Sequence, residues 1–361
     1  MSRSISSGVH RSCVAPTSSL ARALGLLLVV GGLAGCGDAP ERPAEQGDQV
    51  GEASGMTAAE WNPAHRAGDP LTEPQALSFF GEELYAMEDT AGIVAAADSA
   101  LAQDPEDVER LIHAARERRH VWQYRQAMEL YERAAELAPE DWRPPRFKGH
   151  RHISLREFGE AVRELEAARE LAPLNWDVAY HLGLAYFLDG RFHQAADEYL
   201  RCLGLADSEE ARAIHDEDFR SCSANDTDPE SLVAMTEWTV RALQRAGRET
   251  EAQEILAALP DDLEVQANVA YLHNLDMARG LRTAEELLNP GEDAPYRLET
   301  VGFGVANHWL AQGDTAAARG VLEQLMDDPW WPGFGRIAAE TELARLEGRL
   351  NSPREEGPDR P

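Results

Sequence analysis

The residues best suited to metal chemistry in this sequence are two histidines, His150 and His152, and an acidic stretch over residues 215–230. Residues two apart on a helix point about 200° away from each other, so the two histidines cannot ligate one ion. The acidic stretch lacks the glycine that the sharp turn of an EF-hand loop requires, which favours a solvated loop over a calcium site. We therefore predict no bound metal.

Catalytic motifs are also absent from the sequence. It contains no Gly-x-Ser-x-Gly nucleophile motif, no His-Glu-x-x-His metal motif and no phosphate-binding loop. No nucleophile, base and orienting group occur together at a credible spacing. We therefore predict a protein that is not an enzyme and that needs no cofactor.

The first 35 residues have the composition of an export signal. They carry Arg3, Arg11 and Arg22 without any acidic residue, and an apolar run covers residues 23–33. This run has 11 residues, about half of the roughly 20 that a membrane-spanning helix needs, so it predicts a cleaved signal and not a permanent anchor.

The end of this run, Leu33-Ala34-Gly35-Cys36, resembles the lipobox of bacterial lipoproteins. The resemblance implies a diacylglycerol on the Cys36 thiol, cleavage before this residue and acylation of the new amine with a chain such as palmitate. Two or three acyl chains anchor a soluble domain stably, whereas one holds it only marginally. The alternatives are an ordinary secretory signal that contains a cysteine by chance, or a buried N-terminal helix. We predict a cell-envelope lipoprotein, anchored to a membrane that faces the periplasm or the exterior.

The charge of the mature chain restricts its partners. Cleavage before Cys36 leaves 31 of the 34 basic residues against all 64 acidic ones, a net charge of about −33. This argues against nucleic acid and against an anionic bilayer as partners of the whole surface. Residues 36–62 contain few large apolar side chains, and their composition predicts a flexible tether behind the lipid.

Two cysteines remain after processing, Cys202 and Cys222, because Cys13 leaves with the signal and lipid would occupy Cys36. Disulfides persist in compartments beyond the cytoplasm, where a bridge between these two can form. The alternative is two isolated thiols, with Cys202 as a small buried residue.

The helical segments that would position these side chains repeat along the sequence with a fixed period. Pro105, Pro139 and Pro173 are spaced by 34, and each follows a stretch of helical composition. A period of 34 with this content resembles the tetratricopeptide repeat (TPR). The best copy, over residues 176–209, matches the family's Leu-Gly pair, aromatic and small positions at Leu182, Gly183, Tyr186, Ala195 and Tyr199, and departs from it at Cys202 and Asp207.

The resemblance implies an all-α fold, a right-handed superhelix of TPR-like helical hairpins (an α-solenoid). Four glycines occur at the turn between the two helices of a hairpin, Gly190, Gly247, Gly280 and Gly313, and the first gap is 23 residues longer than one repeat. We predict a signal peptide over 1–35, a tether over 36–62, four repeats over 74–209, an insertion over 210–232, degenerate hairpins with a capping helix over 233–350 and a disordered tail over 351–361.

One stretch reverses the acidic character of the chain. Residues 142–156 hold five cations and no acid. In the register of the TPR family, the concave groove is lined by the first helix of each repeat. The predicted groove residues are Arg116, Arg119, His120, Arg143, Arg146, His150, Tyr180, Leu184 and Phe187.

A groove with arginines on one side and an apolar surface on the other suits an extended peptide or helix that bears carboxylates. The alternative is internal neutralisation of these arginines by acids such as Glu109, Glu117 and Asp177. A second pair of interpretations concerns Trp330 and Trp331, which either form a contact surface or close the end of the solenoid.

These patterns predict a membrane-anchored, non-enzymatic scaffold or adaptor that binds an envelope protein or peptide in its concave groove. The alternative function is a small-ligand site or a cryptic enzymatic site in the C-terminal hairpins. Polar side chains that converge in a closed pocket would favour this alternative.

Overall fold

The computed structural model describes residues 72–216, 218–289 and 298–350, all within one compact unit. The predicted signal, the lipidation residue Cys36, the tether and the C-terminal tail lie outside the described residues. Helices dominate the described residues, which confirms the predicted all-α class of helical hairpins. Within these ranges, no helix is both long and apolar enough to cross a membrane.

The first described element is a short antiparallel β-hairpin, formed by β1 (Ala76–Leu77) and β2 (Glu83–Leu84). A helical hairpin was expected from residue 74 onward, and this expectation was wrong for the first helix. The Ser78 hydroxyl accepts hydrogen bonds from the amides of Phe80 and Glu82, and Gly81 has a φ of 83°. A side-chain-stabilised turn with a left-handed glycine favours a hairpin over a helix.

The N-terminal helices form three regular hairpins after a single helix. A 3-10 turn over Arg118–Val121 extends the first helix of the first hairpin. The helices are α1 (Ile93–Leu101), α2 (Val108–Glu117), α3 (Tyr124–Leu137), α4 (Arg143–Ser154), α5 (Phe158–Leu171), α6 (Trp176–Leu188) and α7 (Phe192–Gly204). A Cβ on Gly149 or on Gly183 would clash with the second helix of its hairpin, so these glycines allow the two helices to approach closely.

The C-terminal helices continue the stack beyond the insertion, because the long helix α10 packs directly on α7. Three further hairpins and one final helix follow. The insertion itself carries two short helices, α8 (Glu209–Arg212) and α9 (Ala224–Thr227). The helices beyond it are α10 (Pro229–Arg245), α11 (Glu249–Ala258), α12 (Val269–Ala278), α13 (Ala284–Leu288), α14 (Leu298–Ala311), α15 (Thr315–Met326) and α16 (Phe334–Leu346).

A disulfide joins Cys202 to Cys222 and holds the insertion against α7. The Trp176 amide donates a hydrogen bond of 2.8 Å to the Arg220 carbonyl, and the Trp176 indole donates one of 2.8 Å to Asn225. The part of the insertion over residues 220–225 therefore lies against the start of α6.

The turn inside each hairpin has one conformation that recurs along the chain. A residue after the first helix is left-handed, and the amide that follows it donates to a carbonyl near the end of that helix, as in a Schellman motif. Glycine takes the left-handed position in four of these six turns, at the positions predicted from the sequence. In the other two turns the left-handed residue is Trp122 (φ 59°) or Arg156 (φ 66°).

Candidate functional site

We call the surface of α2, α4 and α6 that carries the predicted groove residues, together with the 3-10 turn after α2, the inner surface of the N-terminal hairpins. The chain's own last helix, α16, packs over part of this surface. The Phe334 ring lies 5.1 Å from the His150 ring and 6.0 Å from the His181 ring. At its other end, Arg345 donates a hydrogen bond to the Leu188 carbonyl at the end of α6. The inner surface is therefore closed along the second half of α6.

The nine predicted groove residues divide into two groups. Arg146, His150, Tyr180, Leu184 and Phe187 are buried, with His150 only 1% exposed. The other four are half-buried and lie on α2, on the 3-10 turn and at the start of α4: Arg116, Arg119, His120 and Arg143.

The expectation of a groove open along its whole length does not hold for the five buried residues. The reason is a long-range one, because the later helices pack onto the inner ones. The Tyr180 hydroxyl bonds that of Tyr271 on α12, and the Phe187 ring packs on Trp238 of α10 and Phe303 of α14. Only His150 among the five has a described ring contact with α16. Only the edge at α2 and the start of α4 remains accessible. We call Arg116, Arg119, His120 and Arg143 the basic edge.

The cations of residues 142–156 pair with acids of the same chain. Arg143 donates to Glu109 at 2.5 and 3.0 Å and also bonds Asp141, and these hydrogen bonds raise its pKa further. Arg146 lies 3.7 Å from Asp177. Glu109 therefore neutralises Arg143, and Asp177 neutralises Arg146. Of the two interpretations of these arginines given by the sequence, internal neutralisation is the one that holds for both.

A buried polar contact joins the two ends of the described chain. The Glu340 carboxylate is fully buried and accepts hydrogen bonds from Arg156 (2.7 Å), from Arg336 (3.1 Å) and from the Phe79 amide (2.8 Å). Arg156 also donates to the Trp331 carbonyl at 3.0 Å. Burial lowers the pKa of the Arg336 guanidinium, and Glu340 acts against this shift.

An aromatic cluster lies beside this contact. The Trp331 ring is 5.7 Å from the Trp122 ring and 5.5 Å from the Tyr124 ring, both in edge-to-face geometry. Its indole N–H donates to the Tyr85 carbonyl at 3.1 Å. Trp330 and Trp331 are both buried, so they do not form an exposed contact surface. They pack against the N-terminal repeats instead.

We call Trp122, Arg156, Trp331, Arg336 and Glu340 the closure site. Sequence reasoning missed it, although one signal was present. Trp122, Arg156 and Gly190 follow one another at intervals of 34 residues, the period of the repeat. Both occupy the repeat position at which a left-handed turn favours glycine.

A second polar cluster lies between α10, α12 and α14, in the C-terminal hairpins. Glu237, Arg241, Asn274 and Asn307 line a cavity with about 10 Å³ of room for the centre of a water molecule, enough for about one water. Neither polar atom of the Asn307 side chain, which is 1% exposed, has a hydrogen-bond partner among the described residues, and the same holds for Asn274 Oδ1.

The electrostatics of this cavity are balanced. Arg241 donates a hydrogen bond to Glu237, and both residues are only 3% exposed. Burial raises the pKa of Glu237 to about 7, while the Arg241 guanidinium acts to lower it. A charged ligand would bury a net charge here, whereas a neutral one would not.

Metal ligands do not cluster in the part of the chain that the structure describes, where no group of three or more His, Cys, Asp or Glu residues could hold an ion. The two histidines considered above as metal ligands, His150 and His152, face different partners. His152 bonds Glu157 at 2.7 Å, whereas His150 faces His181, with the ring centroids 4.5 Å apart.

Comparisons with known proteins give distant likenesses. No family model and no curated protein matches this chain. YrrB, described as a TPR protein with an unusual peptide-binding site, is 17% identical, with 71% of this chain and 100% of that chain covered and a TM-score of 0.38. A point mutant of MamA is 23% identical, with 46% of this chain and 86% of that chain covered and a TM-score of 0.35. The fold class given above rests on this chain's own helices and contacts.

Proposed function

We propose that this protein is a lipid-anchored, non-enzymatic scaffold of the bacterial cell envelope that binds an acidic segment of a partner protein. The observation that carries the proposal is the basic edge, where Arg116, Arg119 and His120 remain half-buried beside the Glu109-paired Arg143, while the C-terminal helices bury the other predicted groove residues. Arginine side chains recognise carboxylates in a fixed geometry, and stacked hairpins present them on a rigid support.

The basic edge also has an apolar component. The Arg116 guanidinium lies 5.5 Å from the centre of the Phe147 ring, which stacks on Tyr131 with the ring centres 5.3 Å apart. An aromatic ring beneath an arginine holds the guanidinium plane in place, so less conformational entropy is lost when a carboxylate binds. An acidic peptide or helix is the partner that fits this surface.

Partner capture by crosslinking and pull-down from envelope membranes tests the site. Replacing Arg116 and Arg119 together with alanine should reduce recovery of the partner about tenfold, since two charge-assisted contacts are lost. Arg133→Ala is the matched control, because Arg133 lies on α3, the second helix of its hairpin, and pairs there with Glu106 and Glu136. Unchanged recovery with the double variant would exclude the basic edge as the binding surface.

The lipid anchor is the second part of the proposal, and it rests on Leu33-Ala34-Gly35-Cys36. Cys36→Ser should abolish labelling by a fatty-acid analogue and release the protein from the membrane fraction, because the thioether to diacylglycerol cannot form. Retention of label and of membrane association by this variant would contradict the lipoprotein assignment. Wild-type protein processed in the same cells is the control.

A second candidate function is the binding of a small neutral polar ligand in the cavity beside Asn307. The observation that favours it is the unpaired amide of Asn307, because each unmade buried hydrogen bond costs about 1–3 kcal/mol. A ligand with both N–H or O–H donors and an acceptor, such as a primary carboxamide, would satisfy it. A saturable rise in melting temperature with a small carboxamide, lost in Asn307→Leu, is expected; the absence of any rise would exclude such a ligand.

A further inference from the structure

Six hairpin turns of the described chain contain a left-handed residue at the same place, and in two of them this residue is not glycine. A non-glycine residue in this conformation is strained, because its Cβ approaches the following carbonyl oxygen. The turns with and without glycine make the same hydrogen bond, so hydrogen bonding does not explain why two turns lack glycine. The Glu157 amide donates to the His152 carbonyl at 2.9 Å, and the equivalent bond in the Gly190 turn is 2.8 Å.

What distinguishes the two exceptional turns is that the side chain of the left-handed residue itself contacts the C-terminal segment. The Trp122 ring packs on Trp331, and the Arg156 guanidinium bonds the Glu340 carboxylate and lies 5.4 Å from the Trp331 ring. Residues with a strained backbone persist where surrounding contacts over-determine them, and such places are concentrated at functional sites.

We propose that the closure site is a built-in autoinhibitory contact, which holds the first repeats against α16 and keeps the inner surface shut until a partner releases it. This inference rests on the proposed scaffold function. It adds regulation to it: the basic edge binds the partner's acidic segment first, and opening then exposes the part of α4 that α16 covers, which includes His150.

The packing indicates which parts separate. Helix α16 belongs with α14 and α15, against which it packs, and a Cβ added to Gly335 would clash with the backbone carbonyl of Glu299 on α14. Trp122 and Trp331 instead belong to a small separate apolar cluster. Opening at the closure site therefore moves the first repeats away from α16 and leaves α16 on α14.

Hydrogen–deuterium exchange on the processed, full-length protein tests the closure. The variant Arg156→Gly removes the buried ion pair and places the residue that a left-handed turn favours, so the turn itself is retained. Amides of α4 and α16 should exchange about 100-fold faster in this variant, whereas amides of α11 should not change. The control is Arg248→Gly, which removes an arginine beside the Gly247 turn that pairs with Glu251 and Asp197.

Partner recovery by the same crosslinking assay tests the regulatory role. Arg156→Gly should increase recovery of the partner, because the buried part of the inner surface is then accessible more often. Unchanged exchange in α4 and α16 would overturn the closure, and faster exchange with unchanged or lower recovery would overturn autoinhibition. If wild type and variant both recover no specific partner, the scaffold proposal fails, and autoinhibition fails with it. The hydrogen–deuterium exchange of α4 and α16 then still shows whether the closure site joins the first repeats to α16.

Discussion

Replacing Glu340 with glutamine should destabilise the protein more than any exposed charge substitution. Glutamine has nearly the same shape as glutamate, so the substitution changes charge and hydrogen bonding without opening a cavity. In the native protein one fully buried carboxylate faces two guanidinium groups, those of Arg156 (2% exposed) and Arg336 (3% exposed). The variant leaves these two cations buried beside each other without a shared counterion.

The magnitude follows from this geometry. Breaking a buried ion pair by removing one partner typically costs about 3–5 kcal/mol. Arg336 retains a weaker partner, Glu82, at 3.7 Å and at the surface, so we expect about 3 kcal/mol. That is a large part of the about 5–15 kcal/mol that stabilises a typical domain.

Urea denaturation followed by far-UV circular dichroism measures the loss. Glu323→Gln is the control, since its carboxylate is 60% exposed and pairs only with Arg319 at 3.6 Å among the described residues; it should change the free energy of unfolding by less than about 0.5 kcal/mol. Combining Glu340→Gln with Arg156→Gly should restore part of the stability, because one of the two stranded cations is then removed. A loss below about 1 kcal/mol with Glu340→Gln, or strict additivity in the double variant, would refute the reasoning.

Three further predictions address the core, the cavity and the insertion. Gly183→Ala places a methyl group against the second helix of its hairpin and should cost about 1–3 kcal/mol in urea denaturation, whereas Gly320→Ala, which meets nothing within 4 Å, should stabilise by about 0.5–1 kcal/mol. Because burial raises the pKa of Glu237 to about 7, the folded state binds the extra proton between the unfolded value and pH 7, so stability should fall as pH rises through this window. Glu237→Gln should flatten that dependence in unfolding experiments at about pH 5 and about pH 8. Cys202→Ala opens the bond to Cys222, 20 residues away, and should lower the melting temperature through a loss of about 3 kcal/mol.

The parts of the fold that the sequence predicts well are those set by local chemistry. Gly149 and Gly183 mark where two helices approach, and Pro139 and Pro173 mark where second helices end, so the hairpins α2–α3, α4–α5 and α6–α7 follow from spacing alone. The same reasoning wrongly predicted a helix at the start of the segment from residue 74. A serine hydroxyl and a left-handed glycine there favour a β-turn, and a 34-residue template gives no weight to either.

The placement of α16 was not predictable in the same way. Its composition indicates an amphipathic helix at the end of the stack, but its partners, such as Arg156, lie far away in sequence. The pairing of Arg143 with Glu109 and of Arg146 with Asp177 could be offered only as an alternative, because repeat register does not give the distance between side chains. The groove prediction therefore treated as accessible five residues that the packing of the helices buries.

Joining Phe79 to Glu340 has a consequence for the order in which the chain folds. The two groups are 261 residues apart, whereas each hairpin forms between helices that follow one another in sequence. The entropy lost in closing a loop grows with its length, so contacts at such separation form late, after local ones have shortened the effective path. During synthesis the amide of Phe79 exists long before its acceptor, and the first repeats must be stable as a stack before the closure site can exist. A chain that stops before α16 should therefore build its N-terminal hairpins normally and leave Trp122 and Arg156 strained, with nothing yet to hold them.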